Sequence, residues 1–407
     1  MSSRIIIVGG GTAGITMAAQ LAKSDRDLSI VLIEPSEFHY YQPLYTLVGA
    51  GAEKVEKTKR LTKDFIPKGV QWHQGKVKAF APENNEVILE DDQKMSYDYL
   101  IVCPGIQIDW AAIEGLPETL GKNGVCSVYG YQESATTWKI LDDFKGGNAI
   151  FTAPRTPVKC GGAPQKITYL TDALLREKGI RLSSTVTFAT GAKKLFAVKG
   201  FAETLEDLVR QRNINTLFNH ELIKVDGDKK EATFVIKTFE NKQLIRSEKK
   251  VMPFDLLHVV PPQSAPDFVK NSALAIREGK GKGWVDVDIN TLQHRQFANV
   301  FALGDVANLP TGKTGAAVRK QVPIIVRNLF QLIDNQLIDK KNQYDGYSAC
   351  PILTDYNHVL MAEFTYGYQP NPSVSFMDTT KPSYLMYLAK HYYLPWFYWN
   401  RMLKGKG

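Results

Sequence analysis

The chain has 407 residues, of which 44% are hydrophobic and 23% charged, so it is long enough for two or three domains with buried cores and too apolar for a disordered chain. Its formal charge of +8 is unevenly placed, because residues 381–407 hold five bases and no acid and leave only +3 for the other 380. That distribution excludes a nucleic-acid-binding body and points to the tail, and four cysteines with no CxxC pair and no Cys/His cluster exclude a disulfide scaffold and a metal site.

The first element is a strand. Residues 4–8 are a short β-branched run suited to a buried parallel strand, too short for the apolar core of a leader. Gly9-Gly10-Gly11-Thr12-Ala13-Gly14 follows, then a helical pattern through Ile15, Ala18, Ala19 and Leu21, then a second strand over 28–33 that ends on Glu34. In strand–GxGxxG–helix–strand–acid order, Gly9 permits the tight turn, Gly11 lets backbone approach a pyrophosphate, and Gly14 lets the helix pack on the strand. The free N–H groups of the helix start face the phosphates, and Glu34 can accept from ribose hydroxyls.

Further along, the segment 97–105, ending Cys103-Pro104-Gly105, has the form of the strand-and-turn crossing of two-dinucleotide flavoproteins. Residues 299–305, ending Gly304-Asp305, resemble the second FAD fingerprint of the same superfamily, with a helix expected to begin near Lys313-Thr314-Gly315 and to point its positive end at the flavin. These motifs make FAD the expected cofactor. The cofactor-binding set is Gly9, Gly11, Thr12, Ala13, Gly14, Glu34, Val77, Cys103, Pro104, Gly105, Gly304, Asp305, Lys313, Thr314 and Gly315.

A middle strand over 148–152 is where NAD(P)H-dependent members carry a second GxGxxG. Here the loop reads Ala153-Pro154-Arg155-Thr156-Pro157-Val158-Lys159-Cys160-Gly161-Gly162, the glycine spacing is lost, and the next strand, 185–190, ends without an acid. An NAD(P)H donor is therefore not expected. Cys160 stands just before a predicted helix over 165–177, whose apolar face is Ile167, Leu170 and Leu174, and beside Lys159; both features favour thiolate. Cys350, in Tyr347-Ser348-Ala349-Cys350-Pro351, is a partner in principle, although spacing alone does not show that two cysteines 190 residues apart meet. Cys126 and Cys103 read as packing, and His39, His258, His294 and His358 as structural. The charged stretch 226–250 reads as a hairpin with one solvated face.

The run from Thr156 to Ile167 resembles the redox-cysteine segment of sulfide:quinone oxidoreductases, in their type II, mitochondrial-like branch. Matching stretches are 257–262, 283–288, 291–295, 304–311 and 344–351, so the resemblance covers nearly the whole chain. It implies that Cys160 and Cys350 form the redox pair. Hydrosulfide attacks a sulfur bridging them, Cys350 carries the persulfide, Cys160 faces the flavin as thiolate, and glutathione or sulfite removes the sulfane sulfur. A soluble sulfide dehydrogenase donating to a cytochrome and a type II NADH:quinone dehydrogenase are the rival readings. The aromatic tail opposes the first, and the lost second GxGxxG opposes the other.

The tail comes last. Residues 384–399 are rich in Tyr and Trp, are interrupted by Lys390, and are split by Pro395 into two short helical pieces. With no apolar run of 18 residues, no spanning helix is expected, and residues 384–407 read instead as an interfacial anchor on anionic lipid. Tyr387, Trp396 and Phe397 are its candidate quinone contacts. The expected fold is α/β: a FAD-binding domain over 1–115 and 256–325, a second Rossmann-like domain without a NAD site over 116–255, and a C-terminal region over 326–407. The expected setting is a membrane-associated protein on the cytoplasmic side, with a homo-oligomer left open.

Overall fold

The computed structural model describes residues 2–240, 243–339, 341 and 343–407. The chain opens with β1 (Ser3–Val8), α1 (Thr12–Leu21), β2 (Leu28–Ile33), β3 (Val70–His73) and β4 (Tyr99–Val102). A second group follows: β5 (Val125–Cys126), β6 (Gly147–Ala153), α2 (Ala163–Glu177), β7 (Ser184–Thr190), β8 (Asn215–Phe218) and β9 (Leu256–His258). Next come β10 (Val300–Ala302), the long helix α3 (Gly315–Ile333), and the antiparallel pair β11 (Ser348–Leu353) and β12 (Val359–Thr365).

Two parallel sheets organise the molecule. The first has the order β10-β4-β1-β2-β3. Because successive side chains on a strand face opposite ways, Ile5 and Ile7 join the cluster beneath α1 and α3, while Ile6 and Val8 join a second cluster beneath the antiparallel strands of residues 77–96. Both faces are covered, which is why β1 is an unbroken apolar run rather than an alternating one. The second sheet has the order β5-β9-β6-β7-β8. Ala149 and Phe151 pack toward α2, and Ile150 packs toward a three-stranded ribbon of His220–Asp226, Glu231–Glu240 and Gln243–Pro253. The outer strand of that ribbon is almost wholly exposed, as a solvated hairpin face should be; residues 241 and 242 of the hairpin lie outside the described residues.

The structure moves one boundary. The return to the first domain, expected at 256, comes later, since Leu256–His258 is a central strand of the second sheet with all three residues fully buried. The two passages between domains run side by side as Gln107–Ile108 against Ser264–Gln263, an antiparallel pair that ties exit to return.

The tail also differs from expectation. Instead of two pieces separated at Pro395, α4 (Tyr384–Leu388) continues through a wide π-helical turn (Ala389–Tyr393) into α5 (Leu394–Asn400), with the proline in the first turn of α5. Proline has no N–H to give, and the wider turn before it accommodates the missing bond without ending the helix. Among the described residues no helix is long and apolar enough to cross a membrane.

Candidate active site

The nucleotide cradle forms where β1 hands over to α1. Gly9 has φ +103°, and a Cβ there would lie 2.5 Å from the Cys103 carbonyl oxygen and 2.6 Å from Pro104 Cα, so the turn after β4 seats directly on it. A Cβ on Gly14 would come 1.8 Å from the Gly9 carbonyl, which makes close helix–strand packing depend on that glycine. Above Gly11 nothing lies within 4 Å, and α1 starts there with no side-chain cap, leaving its first N–H groups for an anion. This open, N–H-lined cradle fits the pyrophosphate of FAD.

Glu34 sits at the rim. Its carboxylate accepts from Gly10 N–H at 2.6 Å and Ser36 N–H at 2.8 Å; burial raises its pKa, and these two bonds oppose the rise. Thr12 and Ala13 face the second fingerprint. A Cβ on Gly304 would be 3.4 Å from Ala13 Cβ, and one on Gly315 would be 4.0 Å from Thr12 Cγ2, so the N-termini of α1 and α3 approach each other. Thr314 caps α3 by accepting from Ala317 N–H at 3.2 Å, and its hydroxyl also pairs with Ser348 at 2.9 Å on β11. Half-buried Lys313 donates to the Asp305 and Ala307 carbonyls and lies 3.8 Å from the Trp284 ring centroid; desolvation lowers its pKa to about 8. Gly105 holds a positive φ of 78° with open space around it. Val77 is different: its side chain is in the core cluster beneath the first sheet. Cys103 and Cys126 are buried thiols whose pKa values burial raises, the latter to about 12, which is the state of packing residues rather than nucleophiles.

The second part of the site is a sulfur pair. The loop that follows β6 turns at Cys160, which holds φ +88°, and enters α2 through Gly162. Cys160 Sγ lies 3.6 Å from Cys350 Sγ on β11, and both thiols are free. A Cβ on Gly162 would stand 2.6 Å from Cys350 Sγ, so glycine is what lets the strand reach the loop. The two sulfurs are not equivalent. The hydrogen bond from Cys350 lowers the Cys160 pKa well below its ordinary value; burial opposes this, and the ammonium of Lys166, 3.1 Å from Sγ, lowers it further. The same hydrogen bond, burial and the Cys160 charge push Cys350 up. The arrangement favours a thiolate at Cys160 beside a thiol at Cys350.

The helper is not the lysine expected from sequence. Lys159 gives its backbone N–H to Gln263 at 2.9 Å and sits near Asp305, while Lys166, a turn into α2, contacts the sulfur. The clue was in the pattern: Lys166, Leu170 and Leu174 share an i, i+4, i+8 row, and a lysine in a buried row needs a reason. Lys390, from the π-turn of the tail, is a second missed cation. It is 3% exposed, donates to the Pro43 carbonyl at 2.9 Å, and lies within electrostatic reach of Cys160, Cys350 and Lys166.

The tail is therefore only half surface. The Tyr398 hydroxyl sits 2.8 Å from Thr12 Oγ1 and 2.5 Å from His39 Nε2, and His39 Nδ1 lies 3.1 Å from the Gly10 carbonyl. Burial lowers the His39 pKa to about 4, so the ring is neutral: its Nδ1–H donates to Gly10 and its Nε2 accepts from Tyr398. His258 and His294 are likewise buried and lowered by burial, and neither touches the sulfurs. Of the three candidate quinone contacts, Tyr387 rings with Tyr384 and His391, while Trp396 and Phe397 gather around Tyr393 further along.

Residues 3–141 match the family model of pyridine nucleotide-disulphide oxidoreductases. The chain is 44% identical to the mitochondrial sulfide:quinone oxidoreductase of Mus musculus over 98% of its own length and 86% of the mouse protein, and 44% identical to that of Dictyostelium discoideum over 99% and 86%. The solved sulfide:quinone oxidoreductase of Aquifex aeolicus superposes with a TM-score of 0.81 at 19% identity, covering 100% of this chain and 92% of that one, which shows the shared fold. Identity at this level across nearly the whole length shows that the chain belongs to the sulfide:quinone oxidoreductases, in their mitochondrial-like type.

Proposed function

We propose that this protein oxidises sulfide to sulfane sulfur at Cys160 and Cys350 and passes the electrons through FAD to a membrane quinone. The observation that carries this reading is the sulfur pair itself, 3.6 Å apart with Lys166 on one member. Two S–S bonds of about 2.05 Å reach at most about 4.1 Å end to end, so one further sulfur fits between the two Sγ atoms. The loop that would cradle a second nucleotide instead carries Cys160, which supports sulfide over NADH as the donor.

The residues supply the chemistry in order. Hydrosulfide forms a new sulfur–sulfur bond at Cys350, the bond joining that side to Cys160 breaks, and the electron pair stays on the Cys160 side. Lys166 and Lys390 hold that negative charge in a half-buried setting where it would otherwise be costly. FAD, when bound, is the two-electron acceptor that connects the sulfurs to quinone. Gly11 with the start of α1, Glu34, and the Thr314-capped start of α3 would hold it. A small nucleophile, glutathione or sulfite, then takes the sulfane sulfur from Cys350. The exposed Tyr384, Leu385, Tyr392, Tyr393 and Trp396 would seat the protein on a lipid surface within reach of quinone.

Anaerobic mixing of the flavin-loaded protein with sulfide or with NADH tests the reading. Sulfide is expected to bleach the flavin band, and NADH to leave it unchanged. Bleaching by NADH without bleaching by sulfide would overturn it.

A further inference from the structure

Tyr129 follows β5 and is 3% exposed, yet its hydroxyl has no hydrogen-bond partner among the described residues. A buried hydroxyl left unpaired costs about 1–3 kcal/mol, so such groups persist where a ligand or reacting atom completes them. The ring belongs to the same core cluster as Cys350, with Cys160 packed against that cluster. Burial, the larger effect, and the nearby cysteines raise the pKa of the phenol well above its ordinary range, so it stays protonated. The two lysines at the sulfur pair already have partners, Lys166 with Cys160 and Lys390 with Pro43. The phenol lies within electrostatic reach of both sulfurs, and the spacing of that pair leaves room for one more sulfur.

We infer that the Tyr129 hydroxyl is a catalytic hydrogen-bond donor to the sulfur held between Cys160 and Cys350. This rests on the sulfide-oxidising reading above and adds one named residue to it. During the exchange one S–S bond forms at Cys350 and one breaks, the electron pair remains on the Cys160 side, and Tyr129 keeps its proton throughout. Its task is to stabilise the negative charge that develops on the bridging sulfur as its bond to Cys350 breaks. A hydrogen bond to a charged group sets the scale of the expected effect at roughly 10- to 100-fold.

Tyr129→Phe removes one oxygen and tests this in three readouts. In protein stripped of sulfane sulfur by cyanide, the variant should keep its flavin and melt no lower than the parent, because an unpaired group has been deleted. Sulfide-driven bleaching in anaerobic stopped flow should slow by about 10- to 100-fold. After a sulfide pulse and alkylation, mass spectrometry of the cysteine peptides should find less sulfane sulfur than in the parent. An unchanged bleaching rate would overturn the inference. So would a lower melting temperature, or a shifted flavin spectrum before sulfide is added, because either would show that the hydroxyl already has another partner. If the parent itself fails to bleach with sulfide, the sulfide-oxidising reading falls instead.

Discussion

At the residue scale the site depends on holding one sulfur ionised and its neighbour protonated. Cys350, Lys166, Lys390, Tyr129 and Asp305 are the polar groups that bear on Cys160, and Lys166 is the cation in direct contact. Removing a positive charge disfavours the charged form of its neighbour, so in Lys166→Met the Cys160 pKa rises. Wild-type protein is expected to react with iodoacetamide at Cys160 well below the ordinary thiol pKa of about 8.5, whereas the variant's inflection moves upward. Its sulfide-driven flavin reduction should therefore fall more at pH 6 than at pH 9. A pH profile parallel to wild type would show that Lys166 does not set the thiolate. Sequence made the two cysteines and the first glycine fingerprint legible because their motifs are local. Lys166 and Lys390 were not legible as site residues, since their role comes from where α2 and the tail are packed. Gly162 likewise shows its purpose only once β11 lies against it.

At the element scale, strands and helices with an unbroken apolar or strictly periodic pattern appeared where their sequences place them, as β6, β7 and α2 show. The tail was harder to read. An aromatic, basic, proline-containing segment has the composition of a lipid anchor, and composition does not reveal which side chains turn inward. In the structure Met386, Lys390, Tyr398, Trp399, Met402 and Leu403 face the body, while Tyr384, Leu385, Tyr392, Tyr393 and Trp396 face outward. The two sets can be tested apart. Fully burying a large apolar side chain is worth about 1.5–3 kcal/mol. Replacing both Tyr392 and Trp396 by Ser should therefore weaken binding to anionic vesicles at least about tenfold. Flavin content and sulfide-driven bleaching should stay at the wild-type level, because neither residue supports the cradle. Undiminished pelleting with vesicles would remove the outward strip from the anchor.

At the scale of the whole molecule, the site belongs to no single domain. The cradle comes from the first sheet, Cys160 from the loop after the second sheet's central strand, Cys350 from β11, and Lys390 from the tail. The paired passages at residues 107–108 and 263–264 hold the two sheets in register, and the Thr314–Ser348 contact ties β11 to the helix that would face the flavin. The tail closes this assembly through Tyr398, whose hydroxyl joins Thr12 in the glycine loop to His39, which in turn holds the Gly10 carbonyl. An anchor that only touched lipid could be cut away with the site left intact. This tail cannot, because its removal would strip the cover from the cradle and one cation from the sulfurs. Deleting residues 384–407 should therefore lower the flavin-to-protein ratio as well as abolish vesicle binding, in contrast to the Tyr392 and Trp396 replacement. Tyr398→Phe separates the two effects further: it leaves His39 Nε2 buried without its donor, at a cost of about 1–3 kcal/mol, and should reduce flavin retention while vesicle binding is unchanged. A truncated protein that kept its full complement of flavin would show that the tail's contacts with the glycine loop are incidental to cofactor binding.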